Sequence, residues 1–192
     1  MKLFENIKIT DEQLQPIVDW CEENKDFAPV VTKYNKKGHW AAISLKGYGS
    51  DPKSIGKGDV LGTQTENVLQ ETALYDELNI GSILSIIPAE TERVRLMSLK
   101  AGTKITKHTD NVDKDIKTGR IIRLHIPVIT DKNILCRSWL SNGIAEFHMK
   151  RGECWWLDVS RPHAVINNSE IDRLHLVFDC FNNDTLQEKY FL

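Results

Sequence analysis

Long apolar runs are missing from this chain. No stretch approaches the ~18 residues that a membrane-spanning helix needs. The opening MKLFENIKITDEQ carries acidic side chains where a signal peptide would need an apolar core. A surplus of charge is missing too: 25 Lys and Arg face 27 Asp and Glu, a net charge of −2. That excludes a broadly basic nucleic-acid binder. Cysteine is sparse, and Cys21, Cys136, Cys154 and Cys180 form no CxxC pair. At 192 residues the chain can build a full core without disulfide staples, so these cysteines are expected as small buried apolar residues. The expectation is a soluble, cytoplasmic protein with neither nucleic acid nor membrane as partner.

With 41% apolar and 27% charged residues the composition is that of an ordinary folded domain. Thr10-Asp-Glu-Gln13 is a capping box, followed by Leu14, Ile17, Val18 and Cys21 on one helical stripe. Pro16 is expected to weaken this helix or move its start. A second helix is expected over Thr65–Leu78, a strand over His39–Leu45, and a loop over the GYGSDPKSIGKGD segment. From about Arg93 the texture changes to short strands separated by turn signals. After the run around Val94–Leu99, strands are expected at Lys104–Thr109, Ile121–Ile129, Cys136–Leu140, Ala145–Met149, Cys154–Val159, Ala164–Asn167 and Arg173–Asp179. Ser141-Asn-Gly143 and Lys150-Arg-Gly-Glu153 suit hairpin turns. Such a series indicates a mainly β jelly-roll, or double-stranded β-helix, buttressed by N-terminal helices. The expected organisation is a single domain: supporting helices and strands over 1–92, the jelly-roll core over 93–180 and a tail over 181–192.

His108-Thr-Asp110 ends one of these strands, before a polar loop expected over Asn111–Gly119. Residues two apart on a strand share a face, so an imidazole and a carboxylate can meet one ion side by side. A second histidine, His163, lies 53 residues beyond Asp110 in Ser160-Arg-Pro-His163. Two histidines and a carboxylate form the facial triad of non-haem Fe(II) oxygenases. Alone, HxD is a weak signal. Arg173, ten residues after His163 at the start of a strand, strengthens it. A buried arginine needs an anion, and its planar fork suits a carboxylate such as the distal one of 2-oxoglutarate. The alternative is an arginine at the rim, paired with Asp172, Glu170 or Asp158.

The segments RVRLMSLKAGTKITKHTD (93–110), IIRLHIPV (121–128), FHMKRGECWWLDVSRPHAV (147–165) and DRLHLVFD (172–179) resemble the aspartyl/asparaginyl β-hydroxylase family of Fe(II)/2-oxoglutarate oxygenases, including its bacterial free-proline hydroxylases. The resemblance implies that His108, Asp110 and His163 ligate the iron and that Arg173 holds the distal carboxylate of 2-oxoglutarate. It also places Arg123-Leu-His125 at the site. His125 would contact the co-substrate, and Arg123 would serve either the co-substrate or a substrate carboxylate. His175 shares a face with Arg173 and is a weaker candidate. The membrane anchor and helical repeats of larger animal members have no counterpart in this sequence.

Other residues have plainer readings. Trp155 and Trp156 are expected to pack on opposite strand faces, His148 to be solvent-exposed near a turn, and Glu146 and Glu153 to be structural. Trp40, Lys46 and Tyr48 lie outside the matched segments, within possible reach of a substrate. The activity implied is hydroxylation of an unactivated C–H bond with Fe(II), 2-oxoglutarate and O₂, releasing succinate and CO₂. The substrate is either a free amino acid or an aspartyl/asparaginyl-type side chain of a peptide. The rival is a jelly roll that binds metal and 2-oxoglutarate as a non-catalytic sensor.

Overall fold

The computed structural model describes residues 1–56, 68–110 and 113–191. In chain order its elements are β1 (Lys2–Lys8), α1 (Asp11–Glu23), β2 (Ala28–Pro29), β3 (Trp40–Tyr48), β4 (Leu69–Glu71), α2 (Ala73–Glu77), α3 (Ile80–Leu84), β5 (Thr91–Leu99) and β6 (Lys104–His108). There follow α4 (Lys114–Thr118), β7 (Ile121–Ile129), β8 (Ile134–Leu140), β9 (Gly143–Phe147), β10 (Glu153–Trp156), β11 (His163–Asn167), β12 (Arg173–Phe181) and α5 (Asp184–Tyr190). The strands form two antiparallel sheets. The larger runs β1-β10-β7-β12-β5-β3-β2, with β4 also on β3; the smaller runs β6-β11-β8-β9. The eight strands β5–β12 are thus dealt four to each sheet, the arrangement of a jelly roll.

Period-two alternation gives the large sheet two different faces. Val94, Leu96, Leu124, Ile126, Leu176 and Phe178 join one apolar core with Leu14 and Ile17 of α1, Ile80 and Ile83 of α3, and Leu186 and Tyr190 of α5. Each such side chain, fully buried, contributes roughly 1.5–3 kcal/mol. The intervening residues carry the polar groups: Arg93 and Arg95 on β5, Arg123 and His125 on β7, Arg173, His175 and Asp179 on β12. All except Arg123 are buried.

Several local expectations change. The capping box at Thr10 forms, and α1 runs from Asp11 straight through Pro16. Pro16 is exposed, so water can serve the carbonyl its missing N–H leaves free. The helix expected over Thr65–Leu78 is confined to Ala73–Glu77, because Leu69–Glu71 pairs with Lys46–Tyr48 of β3; positions 65–67 lie outside the described residues, as do 57–59 of the expected loop. Within the loop expected over 111–119, α4 forms, capped by the Asp113 side chain; Asn111 and Val112 are outside the described residues. Ser141–Gly143 does connect the paired strands β8 and β9, whereas Lys150–Glu153 carries the chain from the small sheet to the large one and is no hairpin. The C-terminal tail carries α5, with Leu186 and Tyr190 buried. All four cysteines are free and buried. Among the described residues no helix is long and apolar enough to cross a membrane.

Candidate active site

Strand register assembles the site. His163 on β11 stands opposite His108 at the end of β6, and the two rings lie 4.2 Å apart between centroids. Asp110 follows two residues on; its backbone N–H donates to the Val159 carbonyl at 2.8 Å. Its Oδ1 is 3.5 Å from His108 Nε2. One donor atom from each of His108, Asp110 and His163 falls within 4.8 Å of the others. The imidazoles are already oriented. His108 Nδ1 meets the Thr106 carbonyl at 2.8 Å and His163 Nδ1 meets the Arg161 carbonyl at 3.0 Å. With Nδ1–H donating to a carbonyl, the Nε2 lone pair is left for a metal. Burial pushes the His163 pKa below its ordinary value, against the pull of Asp110, which favours the neutral, ligating form. The donor set therefore fits a divalent iron.

A second group lies beside it. Arg173 is 3% exposed and has no carboxylate partner among the described residues, against the rim reading: Asp172 pairs with Lys100, and Asp158 with Arg161. Its Nη2 donates to His175 Nδ1 at 2.8 Å, while its Nε has no partner. His175 Nε2 and both ring nitrogens of His125 are also buried without partners among the described residues. Burial, then the charge of Arg173, holds His125 and His175 well below the ordinary histidine pKa, so both are neutral. Unsatisfied buried donors of this kind are expensive. Here His125 and Arg173 border one cavity with His108, Asp110 and His163, while His175 stands behind Arg173. The residues present fit an anionic co-substrate such as 2-oxoglutarate.

Arg123 reaches this cavity, but its guanidinium is engaged. Nε donates to Asp179 Oδ1 at 2.7 Å, Nη2 to Asp179 Oδ2 at 3.1 Å, and Nη1 to Asp110. Burial opposes its charge, yet Asp179 and Asp110 outweigh that and raise its pKa. Asp179 itself is wholly buried, and Arg93 and Arg95 also contact it. Sequence reasoning missed Arg93, Arg95 and Asp179. The available signal was charge at alternate positions, Arg93-Val-Arg95-Leu, on a strand whose other residues are core-forming. Ser138, across from His163 on β8, is another omission; its hydroxyl is buried without a partner.

Of the remaining residues, Trp40 borders the cavity, while Lys46 pairs with Glu71 and the Tyr48 hydroxyl donates to Glu92. Trp155 packs against Phe147, and Trp156 packs on Phe191. His148 is half-buried rather than exposed, its Nδ1 on the Ile134 carbonyl.

With this geometry in view, comparison with known proteins is decisive on one point. The family described as Aspartyl/Asparaginyl beta-hydroxylase matches residues 5–183. The chain belongs to that family. Two bacterial relatives of this β-hydroxylase family member are an L-proline cis-4-hydroxylase of Rhizobium meliloti (strain 1021), 33% identical over 85 residues, and L-proline cis-3-hydroxylase 2 of a Streptomyces species, 32% identical over 85 residues. Each match covers 44% of this chain and 28% of the relative, so the chain spans under a third of either. Among solved structures, an oxidoreductase of the 2OG-Fe(II) oxygenase family from Burkholderia pseudomallei superposes with a TM-score of 0.56 at 13% identity, covering 88% of this chain and 78% of that one. A prolyl-4-hydroxylase from Pseudomonas putida gives a TM-score of 0.52 at 14% identity, covering 92% and 90%. These likenesses establish the oxygenase-type jelly roll as the fold.

Proposed function

We propose that this β-hydroxylase family member is an Fe(II)- and 2-oxoglutarate-dependent dioxygenase that hydroxylates an unactivated C–H bond of a free amino acid. The observation that carries the reading is the sharing of one cavity by the His108–Asp110–His163 donor set and the unsatisfied nitrogens of Arg173 and His125. His108, Asp110 and His163 would hold the iron; Arg173 would take the distal carboxylate of 2-oxoglutarate, with His125 donating to the same molecule. Bound iron and 2-oxoglutarate together supply an O₂-derived oxidant strong enough to break a C–H bond, with succinate and CO₂ released. The protein's own task is positioning and exclusion of water. Arg123 fixes the Asp110 carboxylate, the backbone carbonyls of Thr106 and Arg161 fix the imidazoles, and Arg173 presents its guanidinium to the anion from a buried position.

The proline hydroxylases among its relatives support a free amino acid as substrate over a peptide side chain. The test is succinate formation from 2-oxoglutarate with added Fe(II), with and without a pool of free amino acids. Iron-dependent succinate stimulated by one amino acid is expected. Stimulation by aspartyl or asparaginyl peptides alone would move the substrate to a side chain. Iron-loaded protein that forms no succinate with either would make it a sensor.

A further inference from the structure

Arg173 borders the co-substrate cavity with His125 and His163, and the imidazole of His175 stands behind it. The two residues are two apart on β12 and share a strand face. Both are buried, at 3% and 1% exposure. Arg173 Nη2 and His175 Nδ1 lie 2.8 Å apart. Guanidinium nitrogens only donate, so Nδ1 must accept, and the neutral ring then carries its proton on Nε2. Burial, then the charge of Arg173, keeps the imidazole neutral, the state in which it can accept.

The surroundings give this ring no other polar task. In register it lies between Met97 of β5 and Pro127 of β7. His125 meets it edge to face, with ring centroids 5.9 Å apart. Its Nε2 has no hydrogen-bond partner among the described residues. A buried imidazole with an unmet N–H destabilises a position that an aliphatic side chain would fill without that penalty. What the imidazole adds is the acceptor for Arg173. That arginine has no carboxylate partner among the described residues, and its Nε is unpartnered. A hydrogen bond at Nη2 fixes the plane of a long, otherwise rotatable side chain before an anion arrives.

We propose that His175 is a positioning residue, which accepts from Arg173 Nη2, sets the plane of that guanidinium and so gives the protein its preference for a 2-oxo acid with a distal carboxylate over one without. It acts through Arg173 and does not touch the co-substrate. This rests on the reading of Arg173 as the residue that takes the distal carboxylate of 2-oxoglutarate.

The experiment measures binding to the Fe(II)-loaded protein without oxygen, by calorimetry. The probes are 2-oxoglutarate and 2-oxopentanoate, which carries a methyl group in place of the distal carboxylate. Wild type is expected to prefer 2-oxoglutarate by roughly 30-fold or more. In His175→Leu, which removes both ring nitrogens, 2-oxoglutarate should bind roughly 10–100-fold more weakly, while 2-oxopentanoate changes by less than about three-fold. Asparagine can place an amide oxygen where Nδ1 stands, whereas glutamine reaches the place of Nε2. His175→Asn should therefore keep 2-oxoglutarate within about three-fold of wild type, and His175→Gln should not. This pair carries the test if His175→Leu does not fold, and asparagine no better than glutamine overturns the proposal. So does a His175→Leu protein that keeps the wild-type preference, or one that loses both probes equally. Equal binding of the two probes by wild type overturns the reading of Arg173, and the positioning role with it. A preference that depends on His175 as expected, in a protein that forms no succinate in air, upholds the role and overturns the oxygenase reading instead.

Discussion

Asp179 grips Arg123 with both carboxylate oxygens, and the third nitrogen of that guanidinium reaches Asp110. A wholly buried carboxylate on β12 thereby orients, through one arginine on β7, the carboxylate that faces His108 and His163. The chain of contact makes Arg123 a positioning residue for the candidate metal centre. It also ties the large sheet to the loop that carries Asp110.

Removing Arg123 should loosen that carboxylate. In Arg123→Ala we expect Fe(II) affinity to fall on the order of 10–100-fold, as for other residues that orient a ligand. Metal titration followed by melting temperature measures it. Unchanged affinity would mean that Asp110 is held well enough by its own backbone.

Asp179→Asn should be costly to the fold, since it removes the carboxylate that Arg93, Arg95 and Arg123 share and leaves the buried Arg95 with no carboxylate partner among the described residues. A loss of about 3–5 kcal/mol is expected, or roughly 6–20 °C in melting temperature for a chain of this size. Thermal denaturation of the variant checks this. A loss under about 1 kcal/mol would show that water meets these charges.

Stability should also depend on pH in two windows. His125 and His175 are held neutral, their folded pKa values far below the ordinary 6.5 because of burial and Arg173. The unfolded chain takes up protons at those positions near pH 6.5 while the folded one does not. Their contribution is thus intact above that pH and shrinks as pH falls below it, by up to about 1.4 kcal/mol per pH unit for each histidine. Asp179 adds a lower window. Burial favours its protonation, but Arg123, Arg93 and Arg95 outweigh that and depress its pKa far below the ordinary 3.8. Its contribution is complete above the carboxylate range and drains away only as pH drops through it. Denaturant unfolding at pH 7.5, 6, 5 and 4 should show the decline beginning near 6.5. A flat profile down to pH 5 would mean that both histidines are charged in the fold.

Gly152 has a strict backbone role. It sits at φ +75°, its carbonyl accepts from Ile9 N–H at 2.8 Å, and a Cβ there would lie 2.2 Å from the Ile9 carbonyl oxygen. Gly152→Ala should therefore destabilise by on the order of 2–3 kcal/mol, by separating the β1 edge from the turn before β10. Chemical denaturation measures this, and a neutral effect would require the edge strand to shift freely.

Most strands of the jelly roll were legible because alternation and turn residues are local signals. Ile121–Ile129 is recovered residue for residue, and Arg173 does begin β12. Elements whose partners are remote were not legible. Lys2–Lys8 becomes a strand only because β10 lies beside it, some 150 residues on, and Leu69–Glu71 joins a sheet rather than a helix because β3 offers an edge. The site divides similarly. His108, Asp110 and His163 announce themselves by residue type and spacing. The link from Arg95 to Asp179 spans 84 residues and exists only through the β5–β12 register. The engagement of Arg123 depends likewise on the β7–β12 register, which sets it opposite Asp179 and leaves it little capacity to hold a second carboxylate.

The most direct measurement compares wild type with His163→Ala, following succinate release from 2-oxoglutarate with Fe(II) and the stimulating amino acid. We expect iron-dependent succinate from the wild type and loss of it in the variant, with the melting temperature of the metal-free proteins within a few degrees of each other. Undiminished turnover in His163→Ala would contradict the assignment of His108, Asp110 and His163 as the metal centre.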